Sequence, residues 1–190
     1  MRPDALILAF DTSAAHCAAA LLSGGTLLAH VEEPMQKGQA ERLMPLLEEV
    51  LAGAGRKWSD LDALAVGTGP GNFTGVRISV AAARGLSLGL GIPAIGITTL
   101  EAMAHGLPRP LVVALDAKRG EHYVQEFPGT ARLAADIPDG LRPAPLFPLA
   151  EAIAREAALR EPGPRPAPFY LRGADAAPPS DPPPVILDVE

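Results

Sequence analysis

Short apolar runs near the start of the chain predict three neighbouring strands. Residues 5–10 are apolar without alternation, which is typical of a central strand that is covered on both faces. Residues 17–22 and 26–32 follow, with Gly24-Gly25 between them as a turn. The sequence therefore predicts a meander of three strands at the start.

Helical spacing of apolar residues appears next, at residues 39–54, where Pro45 implies that the regular helix either begins near Met44 or bends there. A buried strand at 61–66 then leads through a glycine-rich turn into a helix at 76–90. The other predicted elements are strands at 94–97, 111–116 and 122–127 and helices at 99–105 and 149–159. This order of strands and helices predicts an α/β fold.

The helix at 76–90 has apolar or small residues on nearly every side, with Arg77 and Arg84 as its narrow polar stripe. A helix of this kind is buried on more than one side, so we expect one face in the core and another against a partner. Together with the preceding helix it forms the predicted partner interface. The predicted interface residues are Leu43, Leu46, Leu47, Val50, Val76, Ser79, Val80, Ala83, Leu86 and Leu90.

The glycine-rich turn at 67–75 lies between a strand and a helix, where backbone N–H groups and the helix dipole favour anions. It matches neither the dinucleotide fingerprint nor the P-loop, because Thr74 replaces a glycine and Val76-Arg77 replace Lys-Ser/Thr. The alternative is a turn that only allows close packing. Either Asn72 or Thr74 is suited to cap the following helix. The candidate phosphate-binding residues are Asp11, Thr12, Ser13, Gly69, Gly71, Asn72 and Thr74.

The charge of the chain argues against nucleic-acid binding by this chain alone. The 190 residues carry a formal net charge of −6, with a pI near 5.2, and the basic residues are scattered. Affinity for nucleic acid depends largely on neutralising phosphates. The single Cys17 lies in an apolar stretch, and no segment has the pattern of a signal peptide or a membrane span. We therefore expect a cytoplasmic protein without contact to a membrane.

Catalytic residues are less clearly indicated. No two histidines share the i, i+4 spacing of a helical metal pair, although Glu101 and His105 do. Asp11 and Asp116 end two predicted central strands and resemble the acids of a phosphoryl-transfer cleft. An ATP-dependent small-molecule kinase is therefore one hypothesis.

Several motifs in order resemble one family. They are Leu8-Ala9-Phe10-Asp11-Thr12-Ser13, Gly69-Pro70-Gly71-Asn72-Phe73-Thr74-Gly75-Val76-Arg77-Ile78, Ile92-Pro93-Ala94-Ile95-Gly96, Leu115-Asp116-Ala117-Lys118-Arg119-Gly120-Glu121-His122-Tyr123 and Tyr170-Leu171-Arg172. In order and spacing they resemble the TsaB (YeaZ) family, the bacterial subunit of the machinery that makes threonylcarbamoyladenosine in tRNA. The match is dense over the first two-thirds of the chain.

The resemblance implies an actin-like fold of the sugar-kinase and Hsp70 type, with two related domains of which the second is reduced. We accordingly expect a first domain at 1–107, a second at 108–173 and a proline-rich, disordered tail at 174–190. It also implies a subunit that heterodimerises with the catalytic paralogue TsaD, works with the small ATPase TsaE, and meets tRNA only through the complex. A homodimer is expected when the chain is alone.

The resemblance further implies that this chain has no catalytic residues, metal or cofactor of its own. In the catalytic relative, a His-x-x-x-His metal pair follows the strand after the glycine-turn helix. Thr99 and Met103 occupy those positions here, and a hydroxyl and a thioether do not replace two imidazoles. The alternatives to this supporting role are the kinase and a scaffold that only associates with itself.

Overall fold

Five strands form the main sheet of the protein in a computed structural model, which describes residues 4–172. In sequence they are β1 (Leu6–Asp11), β2 (His16–Ser23), β3 (Thr26–Pro34), β4 (Ala63–Gly67) and β5 (Ala94–Ile97). Their order across the sheet is β3-β2-β1-β4-β5. β1 pairs antiparallel with β2 and parallel with β4, so it lies at the centre of a mixed sheet. The predicted central strand and meander are confirmed.

Two helices cover one face of this sheet, α1 (Gln39–Gly53) and α2 (Phe73–Leu90). Their inward side chains join those of Leu8 and Phe10 in one core cluster. α1 begins at Gln39 rather than near Met44, because Pro45 lies on the exposed side and Leu43 ahead of it is buried against the sheet.

The opposite face of the main sheet is covered by α4 (Leu149–Ala158), which returns from the far end of the sequence. Its Ile153 is fully buried in a cluster with Ile7, Ala9 and Ala65. The packing therefore places α4 with the first sheet, although the sequence-based division assigns it to a second domain at 108–173. A domain boundary drawn from the sequence alone does not show that α4 packs on the first sheet, because this packing depends on contacts between segments that are distant in sequence.

A second sheet contains three antiparallel strands, β6 (Leu111–Asp116), β7 (His122–Phe127) and β8 (Ala131–Ala134). β8 was not predicted, because its four residues have no clear alternation. The sheet packs on α3 (Thr99–Met103) through a small cluster that includes Leu100, Leu111 and Val113. This sheet lies within the residues 108–173 that are expected to form the second domain.

Within residues 4–172, no helix is both long enough and apolar enough to cross a membrane. The predicted disordered tail at 174–190 lies outside the described residues.

We predict that Leu46→Ala destabilises the protein by about 2–5 kcal/mol, because Leu46 is fully buried between α1 and the sheet. Met44 on the same helix is 37% exposed, so Met44→Ala is the control, with a change of about 0.5 kcal/mol. The measurement is urea unfolding followed by circular dichroism. Equal losses from the two variants would contradict this arrangement of α1.

Candidate functional site

Two turns meet at the carboxyl ends of β1 and β4. The first, residues 11–13, follows β1, and the second is the glycine-rich turn between β4 and α2. Asn72 N–H donates to the Ser13 carbonyl at 2.6 Å, and the Thr12 hydroxyl donates to the Gly75 carbonyl at 2.6 Å. The two turns are therefore joined directly, without a gap for a ligand between these atoms.

Glycine is required on one side of this contact. A Cβ atom on Gly67 would lie 1.9 Å from Asp11 Oδ2, and one on Gly75 would lie 1.9 Å from the Thr12 carbonyl oxygen. A Cβ on Gly71 would lie 2.5 Å from the Ser13 carbonyl oxygen. These three glycines, spaced four residues apart, thus let the turn approach the Asp11 carboxylate and the backbone of residues 12 and 13. This arrangement agrees with the alternative in which the glycine-rich turn only allows close packing.

Asp11 organises the first turn. Its Oδ1 accepts hydrogen bonds from the Ser13 N–H and the Ser13 hydroxyl, both at 2.9 Å, and lies 2.8 Å from His16 Nε2. Its Oδ2 is buried without a hydrogen-bond partner and faces Gly67. The Asp11 side chain is fully buried, so its polar contacts are made inside the protein.

The contacts of this turn change the pKa of His16. Its hydrogen bond to Asp11 raises the pKa of the imidazole, and burial opposes that rise. Glu32 adds to the rise from the neighbouring strand, with its Oε1 at 3.7 Å from His16 Nδ1. On the next residue, burial raises the pKa of the Cys17 thiol to about 11, which keeps this cysteine unreactive at neutral pH.

The helix α2 begins at Phe73, three residues earlier than predicted, because Asn72 caps it. Asn72 Oδ1 accepts from Gly75 N–H at 3.0 Å, and the Asn72 carbonyl accepts from Val76 N–H. Thr74, the other capping candidate, is exposed on the first turn. The N–H groups of Asn72, Gly75 and Val76 are therefore used inside the chain. This geometry does not favour the predicted phosphate site on the inner side of the turn.

The segment before Arg172 closes over the glycine-rich turn. Phe169 N–H donates to the Thr68 carbonyl at 2.8 Å, and Pro166 lies against Gly96. Arg77 on α2 donates through Nε to the Tyr170 hydroxyl at 2.9 Å and stacks on Phe73 at 3.6 Å. Sequence reasoning noted the Tyr170-Leu171-Arg172 motif but missed this contact, because it joins residues 93 positions apart.

The two acids of the kinase hypothesis lie in different surroundings. Asp11 is fully buried, whereas Asp116 at the end of β6 is exposed and pairs with Lys118 Nζ at 3.0 Å. Hydrogen bonds from Lys118 lower the pKa of Asp116. Asp116 is exposed beside Lys118, whereas Asp11 is buried in a turn. The two acids therefore do not form the phosphoryl-transfer cleft of the kinase hypothesis.

The positions compared with a metal pair belong to α3. Thr99 is buried and its hydroxyl has no hydrogen-bond partner, while Met103 packs in the small cluster under the second sheet. Glu101 and His105 each have other partners. Glu101 accepts hydrogen bonds from Thr98 and Arg160. His105 Nδ1 lies 2.8 Å from Glu156 Oε2. Burial opposes ionisation of Glu101, yet these hydrogen bonds outweigh it and lower its pKa. No group of three potential metal-binding side chains occurs over residues 4–172.

The predicted partner interface consists largely of residues that this chain itself buries. Eight of its residues are at most 2% exposed and pack in the core between the helices and the sheet; they are Leu43, Leu46, Leu47, Val50, Val76, Ser79, Val80 and Ala83. Leu86 and Leu90 are half-buried. The apolar stripe that looked available for a partner is the one that holds α1 and α2 to their own sheet.

The outer face of α2 is different in composition. Ala81, Gly85, Leu88 and Gly89 are exposed there, and Leu88 is 77% exposed. Met44 is exposed on the neighbouring helix α1. This surface, which we call the outer helix face, is small and apolar and has space above it.

Comparison with known proteins identifies the family. The family model described as "TsaD: tRNA N6-adenosine threonylcarbamoyltransferase" matches residues 27–143, more than half of the chain. The chain belongs to this family. The TsaB protein of Escherichia coli K12 is 41% identical over 126 residues, which cover 64% of this chain and 54% of that protein. The chain spans about half the length of the curated relatives that it matches.

Solved structures agree with this assignment. A Pseudomonas aeruginosa protein described as uncharacterized, with similarity to peptidase YEAZ, has a TM-score of 0.73 at 28% identity, covering 88% of this chain and 100% of that one. YeaZ from Pseudomonas aeruginosa has a TM-score of 0.56 at 35% identity, covering 70% and 65%. The predicted actin-like α/β fold and the resemblance to the TsaB (YeaZ) family are confirmed.

We predict that Gly67→Ala destabilises the protein by about 3 kcal/mol or more, because the added methyl group would overlap the Asp11 carboxylate. The control is Gly89→Ala, which has open space within α2 and should be neutral or more stable by about 1 kcal/mol. Urea unfolding measures both variants. A stable Gly67→Ala protein would contradict the direct contact of the two turns.

We also predict that the free energy of unfolding falls as the pH rises from about 6 to 8. The pKa of His16 is raised above 6.5 in the folded protein, so its contribution is complete below that value and is lost as the folded imidazole deprotonates. Urea unfolding across this pH range, compared with His16→Gln, isolates the effect. If the slope of the free energy of unfolding against pH is unchanged in His16→Gln, the pH dependence belongs to other groups.

Proposed function

We propose that this chain acts in the biosynthesis of tRNA threonylcarbamoyladenosine as a non-catalytic subunit that heterodimerises with the catalytic paralogue TsaD. The membership of the TsaD family and the relatives named TsaB support this role. The small ATPase TsaE is proposed as the third member of the complex. With its formal net charge of −6, the chain is expected to meet tRNA through the complex.

The observation that carries the proposal is the outer helix face. Ala81, Gly85 and Leu88 lie along one side of α2 at intervals of three and four residues, and the exposed Arg84 lies beside them. Small residues allow another helix to approach closely, and Leu88 and Met44 provide apolar surface to bury. We therefore place the partner interface on the side of α1 and α2 that faces away from the sheet.

A cavity of about 320 Å³ lies beside this face, between the amino-terminal ends of the two helices. Gln39, Thr74 and Ile78 contribute to its walls. It offers space for a side chain of the partner and hydrogen-bonding groups around it. When TsaD is absent, we expect the same face to form a homodimer, because a self-complementary surface is the usual way to cover it.

We predict that Ala81→Glu folds normally and loses binding to the TsaD protein of the same organism. Ala81 is exposed, so the glutamate is tolerated in the free chain, but a partner that packs closely on α2 would have to bury its charge. The expected loss is about tenfold or more in affinity, with a parallel loss of reconstituted tRNA modification. Circular dichroism, affinity measurement and a modification assay provide the three readouts.

The matched control is Ala135→Glu, which adds the same charge at an exposed position after β8. It should bind as the wild type does. Analytical ultracentrifugation of the chain alone should show a dimer for the wild type and a monomer for Ala81→Glu. If Ala81→Glu binds TsaD as the wild type does, the interface lies elsewhere. If the wild type binds only itself, the scaffold hypothesis replaces the proposal.

A further inference from the structure

A second cavity, of about 240 Å³, lies at the other end of α2. Its lining includes Arg84 and Ser87 from α2 and Gly91 and Pro93 from the segment ahead of β5. Arg165, from the segment after α4, also lines it. We call this cavity the arginine cleft. Three separate parts of the chain meet there, so two arginines that are 81 positions apart line one space.

The two arginines of this cleft are not neutralised by the protein. Most guanidinium groups over residues 4–172 contact a carboxylate or an aromatic ring, as those of Arg42, Arg77 and Arg160 do. Arg84 and Arg165 have no hydrogen bond, ion pair or ring contact within that part of the chain, and neither do the guanidinium groups of Arg56 and Arg142. Arg84 and Arg165 share a cavity.

The lining of the cleft favours an anion. Over residues 4–172, no aspartate or glutamate contributes to it, although the full chain has 22 acidic and 16 basic residues. The Ser87 hydroxyl already donates to the Ile92 carbonyl at 2.6 Å, and the Gly91 N–H donates to the Ser87 carbonyl. The hydrogen-bond donors of Arg84 and Arg165 therefore have no acceptor within the described part of the chain.

We propose that the arginine cleft binds a phosphate oxyanion. Guanidinium groups bind phosphate through two parallel hydrogen bonds each, and such charge-assisted bonds are stronger than neutral ones. The volume lies below the range of about 300–1,000 Å³ that is usual for whole drug-sized ligands, so it suits a phosphate group rather than an entire nucleotide. The phosphate belongs either to a small free molecule or to an RNA backbone. Leu88 of the outer helix face also contributes to the lining of this cleft. Binding of phosphate to the chain alone does not require the proposed function.

Calorimetric titration with inorganic phosphate and with pyrophosphate tests the site on the full chain. The double variant Arg84→Gln/Arg165→Gln should bind pyrophosphate about tenfold more weakly than the wild type, because charge-assisted hydrogen bonds are lost. Both side chains are exposed, so folding should be unchanged by circular dichroism. The control is Arg56→Gln/Arg142→Gln, which removes two unpaired charges elsewhere and should stay within about twofold of the wild type.

Competition with tRNA distinguishes the two sources of phosphate. Displacement of pyrophosphate by tRNA, together with a weaker salt dependence of tRNA binding in the cleft variant, assigns the site to an RNA backbone. Binding of pyrophosphate that tRNA does not displace assigns it to a small phosphorylated molecule. The proposal is overturned if the wild type binds phosphate no better than chloride, or if the cleft and control variants lose equal affinity.

Discussion

The direct backbone contact between the turn after β1 and the glycine-rich turn before α2 positions the other parts of the molecule. It holds the carboxyl ends of the parallel strands β1 and β4 together and fixes where α2 begins. The segment around Phe169 then pairs with the backbone of the second turn. Because side chains are absent at Gly67, Gly71 and Gly75, these backbones approach to distances that any other residue would prevent.

The same contact explains why the sequence resembles a phosphate-binding loop although the geometry of the turn does not favour such a site. Glycines, hydroxyl groups and a strand-end acid are the components of an anion site, but here they satisfy one another. Ser13, Thr12 and Asn72 use their polar groups across the joint, and Asp11 holds His16 inside the fold. A rigid joint of this kind suits a protein that presents the outer side of α2 to another molecule.

Much of the fold follows from the sequence because it depends on local spacing. The strands β1, β5, β6 and β7 and the helix α2 have boundaries close to those expected from apolar runs and turn residues. The exposed side of α2 did not follow, since the periodicity of α2 shows which residues share a side but not which side meets the sheet. Val80 and Ala83 proved to be core, whereas Ala81 and Leu88 are exposed. Arg165 was missed for a related reason, because its neighbours in the cleft come from distant parts of the chain.

The return of α4 to the main sheet has a consequence for how the chain acquires its structure. Ile153 packs on Ile7 and Ala9, so one face of the central strand stays bare until synthesis has passed the second sheet. Contacts with such large sequence separation are closed late and slow folding. An unfinished nascent chain would expose an apolar sheet face of this kind, which makes it a target for chaperones during translation.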